Sequence, residues 1–428
     1  MTPSPPEQWR SWQGLLAVLS LLLCGLLWIN GLLGSLERPS VGNALELRQQ
    51  ELAVLAEPSL PALWRRSLLG PDPIQTLRRQ LQRQAAGATP LQPGQQTTLA
   101  LLEQLAAPAD PGPVAELPGP LTPLQQRLQC ELDGGDRSRC SIPSVARAAL
   151  LRLLLITLAP AALMLVGLAL LVRQLWLLWR RKLPALPPLQ GPDLPLDQVT
   201  LVVAGGFVVL GELLIPLLLA PLLGAALQPL AFDPVLQQAA SVVLLYGTLM
   251  VSPLLLLQLF LRQRGQPPAG GWLQWRWQPL GTGLLQALRV LLMVLPLVAL
   301  AGWLLQHLWA DPSGSNPLLE MVLTSANPLA LLLLASTALV LAPLFEETLF
   351  RGLLLPVLAR RWGGGWGVVL SAAFFALAHL SLGELVPLFV LGLGLGWLRL
   401  SSGRLGASAL MHGLWNGLTF ANLLLLAG

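Results

Sequence analysis

Long apolar runs alternate with short polar interruptions along most of this chain, and the runs exceed what the core of a soluble fold requires. Nine of them lie near residues 12–34, 148–172, 199–223, 238–261, 282–306, 329–358, 366–383, 385–399 and 406–427. A helix needs about 20 apolar residues to cross the hydrocarbon of a bilayer, and these runs are read as transmembrane helices. The pattern predicts an all-α, polytopic helical membrane protein with about nine spans. The first run begins after a lone Arg10 and is longer than the apolar part of a cleaved leader. With no small-residue cleavage site behind it, residues 1–35 are expected to form a retained signal-anchor span.

The pattern changes between residues 36 and 145. Stretches such as "IQTLRRQLQRQ" and "TTLALLEQLAA" have helical periodicity and are separated by Pro and Gly, which predicts a small, mostly helical domain between the first two spans. A second span with a basic linker follows over 146–198, and the remaining spans form a core over 199–428. Arginines and a lysine mark alternate loops: Arg180 to Lys182, Arg262 with Arg264, Arg360 with Arg361, and Arg399 with Arg404. The loops between them carry no Lys or Arg, so the positive-inside rule places the N-terminus in the cytoplasm and the C-terminus outside. A bacterial-type inner membrane is expected, with the 36–145 domain extracytoplasmic. Cys130 and Cys140, which flank "ELDGGDRSR", would then face an oxidising compartment, and a disulfide between them is expected.

Composition agrees with the membrane class: 54% of residues are apolar and 11% charged. The net charge of +5 does not point to nucleic acid, because the basic residues sit at span ends and not in one aromatic-rich patch. The glycines of "GLGLGW" follow no strand and open no phosphate-facing helix, so Gly392 and Gly396 are expected to let two helices approach closely. His307 is expected to be an ordinary surface histidine of an outside loop.

Ionisable groups at bilayer depth cost roughly 2.5–3.5 kcal/mol on insertion scales, so each needs a partner or a task. In "LFEETLFR" of the sixth span, Glu347 and Arg351 are four residues apart and share a helical face, whereas Glu346 points about 100° away. His379 lies one turn after Phe375 in the seventh span, and His412 one turn before Asn416 in the ninth. A carboxylate that takes a proton from water, an imidazole that shares it and a His–Asn pair that donates to an oxyanion are the parts of a hydrolytic site. Helix bridging or an ion path is the bland reading of each residue alone. Glu212, deep in the third span, is expected to pair with Arg289 of the fifth.

Together these motifs resemble the CPBP family, the CAAX prenyl endopeptidase and bacteriocin-processing (Abi) intramembrane proteases. Glu346, Glu347 and Arg351 match its first motif, Phe375 and His379 its second, and His412 and Asn416 its third. The resemblance implies an intramembrane endopeptidase in which Glu346 and His379 activate water, His412 and Asn416 stabilise the oxyanion, and Glu347, Arg351 and Phe375 support the site. It leaves two chemistries open. The favoured one is a glutamate-type enzyme without cofactor; the other is a metallopeptidase with zinc on Glu346, His379 and His412. Expected partners are a peptide or protein substrate, membrane-anchored or lipidated forms included, and membrane lipid, with no nucleic acid. The alternative function is a non-catalytic scaffold or transporter of the same fold that acts through protein partners.

Overall fold

The computed structural model describes residues 7–38, 41–86, 91–106, 120–137, 139–230, 232–309 and 317–427. The middle of the outside loop expected after the fifth span, 310–316, and the connection at 107–119 lie outside the described residues. Among the described residues every regular element is helical. In chain order these are α1 (Glu7–Ser35), α2 (Val41–Ala56), α3 (Ala62–Leu69), α4 (Pro73–Ala85), α5 (Pro93–Ala106) and α6 (Pro123–Leu132). They continue as α7 (Pro143–Trp179), α8 (Leu196–Leu227), α9 (Pro234–Arg262), α10 (Leu280–Leu308), α11 (Pro317–Thr324), α12 (Pro328–Trp362), α13 (Gly364–Leu377), α14 (Leu382–Ser402) and α15 (Leu405–Ala427).

Eight of these helices, namely α1, α7, α8, α9, α10, α12, α14 and α15, are long and apolar enough to cross a membrane. Their apolar surfaces are mostly left uncovered by protein: only 6% of the most apolar window of α7 is buried. A helix apolar all round needs lipid to cover it, and the chain is a polytopic helical membrane protein.

The seventh expected span departs from this pattern. Expected over 366–383, it is the 14-residue α13, which begins after Gly363 at φ +84° and stops at Leu377. Leu380 at φ +49° turns the chain before α14 begins, and at 1.5 Å per residue α13 rises only about 21 Å.

The chain divides into two compact units, Met1–Ser40 with Ala162–Ala421 and Val41–Ala161 with Asn422–Gly428. In the second, α2 to α6 close over a core that includes Leu47, Val54, Leu77, Leu81, Leu101 and Leu128. Asp72 caps α4 by accepting from Gln75 N–H, and Thr122 with Gln125 forms a reciprocal capping box on α6, satisfying donors that each helix start leaves free. Arg127 is buried and bonds Glu57 and Glu131, each at 2.9 Å, so its charge is compensated where water is excluded. Cys130 and Cys140 form a disulfide with their Cα atoms 5.5 Å apart.

Within the first unit three features position the candidate site. Helices α8 and α12 widen to π-type turns over Leu201–Leu214, Thr337–Leu341 and Thr348–Leu354. Each wide stretch ends two residues before a proline, at Pro216, Pro343 and Pro356. A proline ring clashes with the carbonyl four residues back, and a wider turn relieves that clash. Glu346 and Glu347 lie between the two wide stretches of α12. Second, Gly392 and Gly396 press α14 onto α13, where an added Cβ would meet Ala372 at 2.9 Å and Val368 at 2.9 Å, while Gly394 turns the opposite face to Val294 of α10. Third, the Pro-rich linker between α7 and α8 is tied down. Arg399, fully buried at the end of α14, donates to Gln190 O at 2.7 Å, and Arg360 donates to Pro192 O. Arg399, expected among the loop cations, is therefore an internal tie.

Candidate active site

Neighbouring residues on α12 enter different surroundings. Glu347 is 0% exposed, and its Oε1 accepts from Arg351 Nη1 at 2.9 Å and from His412 Nδ1 at 3.0 Å. Arg351, equally buried, also donates through Nη2 to Gly392 O at 3.2 Å, and its guanidinium carbon lies 4.3 Å from the centre of the Phe375 ring. That ring meets His379 and His412 edge-on at centroid distances of 4.8 and 5.6 Å. Phe375 therefore separates and orients the three polar groups around it, from a position with no exposed surface.

Glu346 faces the other way. Its Oε1 accepts from the Tyr246 hydroxyl of α9 at 3.0 Å. Its Oε2 stands 3.9 Å from His379 Nε2 and 3.8 Å from His412 Nε2, too far for direct hydrogen bonds, and has no hydrogen-bond partner among the described residues. The histidines are oriented from behind. His379 Nδ1 donates to Phe375 O at 2.7 Å, and His412 Nδ1 donates to Glu347. Both therefore turn Nε2 toward Glu346. A carboxylate oxygen with two imidazole nitrogens at such distances can share one small oxygen species with them.

The fourth expected member is held elsewhere. Asn416 donates from Nδ2 to Ala338 O at 2.7 Å, in the first wide stretch of α12. The wide winding supplies the receptor: a π-type turn displaces carbonyls from their helical partners. His379 is not inside a span, as the sequence pattern implied, but in the turn that follows α13.

Glu346, His379 and His412 are the donor types of catalytic zinc sites. Bonds of about 2.0–2.1 Å in tetrahedral geometry would set ligand atoms roughly 3.4 Å apart; the separations of 3.9 and 3.8 Å are wider. Among the described residues no group of three or more His, Cys, Asp or Glu is arranged to hold a metal ion.

Two expectations are corrected. Arg289 does not pair with Glu212: its Nη2 donates to the Gln174 amide at 2.9 Å. Glu212 forms no ion pair with Arg289. His307 lies in the last turn of α10, not in a loop, with its ring 4.1 Å from that of Trp303. Tyr246 was not anticipated, although a signal exists: it is the only tyrosine in the chain and sits in mid-span, where a phenol needs a partner.

Residues 328–418 match the family model for type II CAAX prenyl endopeptidase Rce1-like proteins, a segment that contains every residue of the site except Tyr246. Residues 42–112 match a model described only as a domain of unknown function, DUF8675. No curated protein and no solved structure matches the chain.

Proposed function

We propose that this multi-pass membrane protein, whose residues 328–418 form a domain of the Rce1-like protease family, is an intramembrane endopeptidase that hydrolyses peptide bonds with a water activated by Glu346. The observation that carries the proposal is the unpartnered Glu346 Oε2 facing two imidazole nitrogens at 3.9 and 3.8 Å. In the proposed reaction a water bridges Glu346 Oε2 and His379 Nε2. Glu346 takes one proton as the water oxygen bonds to the scissile carbonyl carbon, and His379 holds the water's orientation. His412, fixed through Nδ1 by Glu347, donates from Nε2 to the developing oxyanion, joined by the Asn416 amide hydrogen not engaged by Ala338. Glu346 then returns its proton to the departing amine as the C–N bond breaks.

Glu347 and Arg351 do no proton transfer in this scheme; together with Phe375 they hold His412 with Nε2 turned toward Glu346. Tyr246 fixes the rotamer of Glu346 and leaves Oε2 as the reactive atom. An apolar substrate segment is supported by a cavity of about 490 Å³ formed by α9 and the loop after it, with Leu254, Leu257, Trp272 and Leu273 in its wall beside Gln258 and Arg262, and Thr348 of α12 at its edge. Thr348 adjoins Glu347 in the chain.

The test is cleavage of a panel of hydrophobic and lipidated reporter peptides by the purified full-length protein, wild type beside Glu346→Gln. Cleavage by wild type that Glu346→Gln lowers on the order of a thousandfold supports the proposal. Equal cleavage by both overturns it.

A further inference from the structure

Away from the candidate active site, α7, α10 and α14 spread apart around a cavity of about 600 Å³. The spreading has a local cause. At Gly167 the backbones of α7 and α10 lie so close that an added Cβ would overlap the Leu292 carbonyl. Two turns further along α7, and one turn back along α10, the small residue gives way to long polar side chains. There Gln174 and Arg289 bridge the helices at 2.9 Å.

The cavity wall has two chemistries. Arg173, Lys182 and Arg289 contribute three cations, and among the described residues no Asp or Glu lines the cavity. None of the three forms an ion pair among the described residues; Arg289 has only the neutral amide of Gln174. Gln286 adds a buried Oε1 with no hydrogen-bond partner. The remaining wall is apolar, with Leu177, Met293 and Trp397 among its members. Outside the cavity Trp176 and Trp179 are exposed on the last turns of α7, where aromatic rings mark a membrane–water boundary.

Uncompensated cations at a span end, a spare acceptor and an apolar wall together select an anion that carries hydroxyls and an attached apolar chain. We propose that this cavity binds the phosphate headgroup of an anionic phospholipid, with the phosphate held by Arg173, Lys182 and Arg289. Gln286 Oε1 accepts from a headgroup hydroxyl. The volume suits a phosphoglycerol headgroup but not a whole diacyl lipid, so the acyl chains run out along the exposed apolar face of α7. Basic pockets between spans on the cytoplasmic side hold such headgroups, and α7, α10 and α14 all reach this cavity by the ends that adjoin the arginine-rich loops. A free phosphate would satisfy the cations alone.

The site is independent of the proteolytic reading, and its test needs no activity. Purified full-length protein is equilibrated with equal amounts of phosphatidylglycerol and phosphatidylcholine, and retained lipid is counted by native mass spectrometry. Wild type is expected to retain phosphatidylglycerol selectively. Each cation contributes roughly fivefold, so Arg173→Gln/Lys182→Gln/Arg289→Gln should weaken retention on the order of a hundredfold. Lys182→Gln alone, on the exposed linker, should weaken it about fivefold and serves if the triple variant does not fold; Arg289→Lys should retain most binding. Equal retention of both lipids, or retention untouched by the substitutions, overturns the proposal. Displacement of phosphatidylglycerol by millimolar inorganic phosphate, with the same cation dependence, would overturn the lipid as occupant and leave a phosphate site.

Discussion

Glu346 and Glu347 are adjacent in the chain and opposed in their surroundings. Glu347 has its charge answered twice, by Arg351 and His412, and no exposed surface. Removing one partner of such a pair strands the other, at a cost of about 3–5 kcal/mol. Arg351→Leu is therefore expected to lower stability by that amount in detergent unfolding, well beyond the cost of an exposed substitution. Glu346 has one oxygen fixed by Tyr246 and one left free. Tyr246→Phe removes a hydrogen bond to a charged group, worth about 1.5–3 kcal/mol. It should lower kcat by roughly tenfold or more with KM little changed, because the fold and the substrate cavity keep their shape. An unchanged kcat would remove Tyr246 from the site. The polar residues of α12, of the turn after α13 and of α15 were legible in the sequence because each stands out in an apolar run. The partner of Arg289 was not: Gln174 of α7 takes it, and which spans adjoin is decided by packing that one sequence does not display. The single phenol of α9 went unremarked because tyrosine carries no charge to flag it.

At the scale of elements, the candidate site depends on how α12, α13 and α14 are wound and spaced. The prolines of α12 were visible in the sequence; that the helix would accommodate them by widening depends on neighbours that hold the wide turns in place. The first wide stretch supplies the Ala338 carbonyl for Asn416, and its Leu339 carbonyl oxygen lies 2.8 Å from where a Cβ on Gly413 would fall. Periodicity gave α13 as a longer span, since its apolar run continues past Leu377. Its end is set by the backbone turn at Leu380, which apolarity does not encode. The glycine spacing of α14 was legible as close packing, and its consequence is testable. Gly392→Leu must push against the Ala372 backbone, and overpacking of this kind costs about 1–3 kcal/mol. Because Gly392 O receives Arg351, the same substitution should reduce peptide cleavage more than Gly224→Leu, where nothing lies within 4 Å. Equal effects would mean that helix spacing does not reach the site.

At the scale of the whole molecule, the two units have different sources of stability. The membrane unit buries small residues between helices and leaves its outer faces to lipid. The α2–α6 unit has a small leucine core, a buried Arg127 network and one disulfide that spans 10 residues. Closing a loop of that length stabilises by about 3 kcal/mol on the chain-entropy view. Cys130→Ser/Cys140→Ser should therefore lower the protease resistance of this unit while leaving peptide cleavage at the membrane site largely intact. The central claim for the full chain is that Glu346 activates water without a metal. It is tested most directly by measuring peptide cleavage by metal-stripped wild type beside Glu346→Gln, with metal content determined on the same samples. Full activity in the stripped wild type and its loss in Glu346→Gln is the predicted result. Loss of activity on stripping, restored by added zinc, would contradict it.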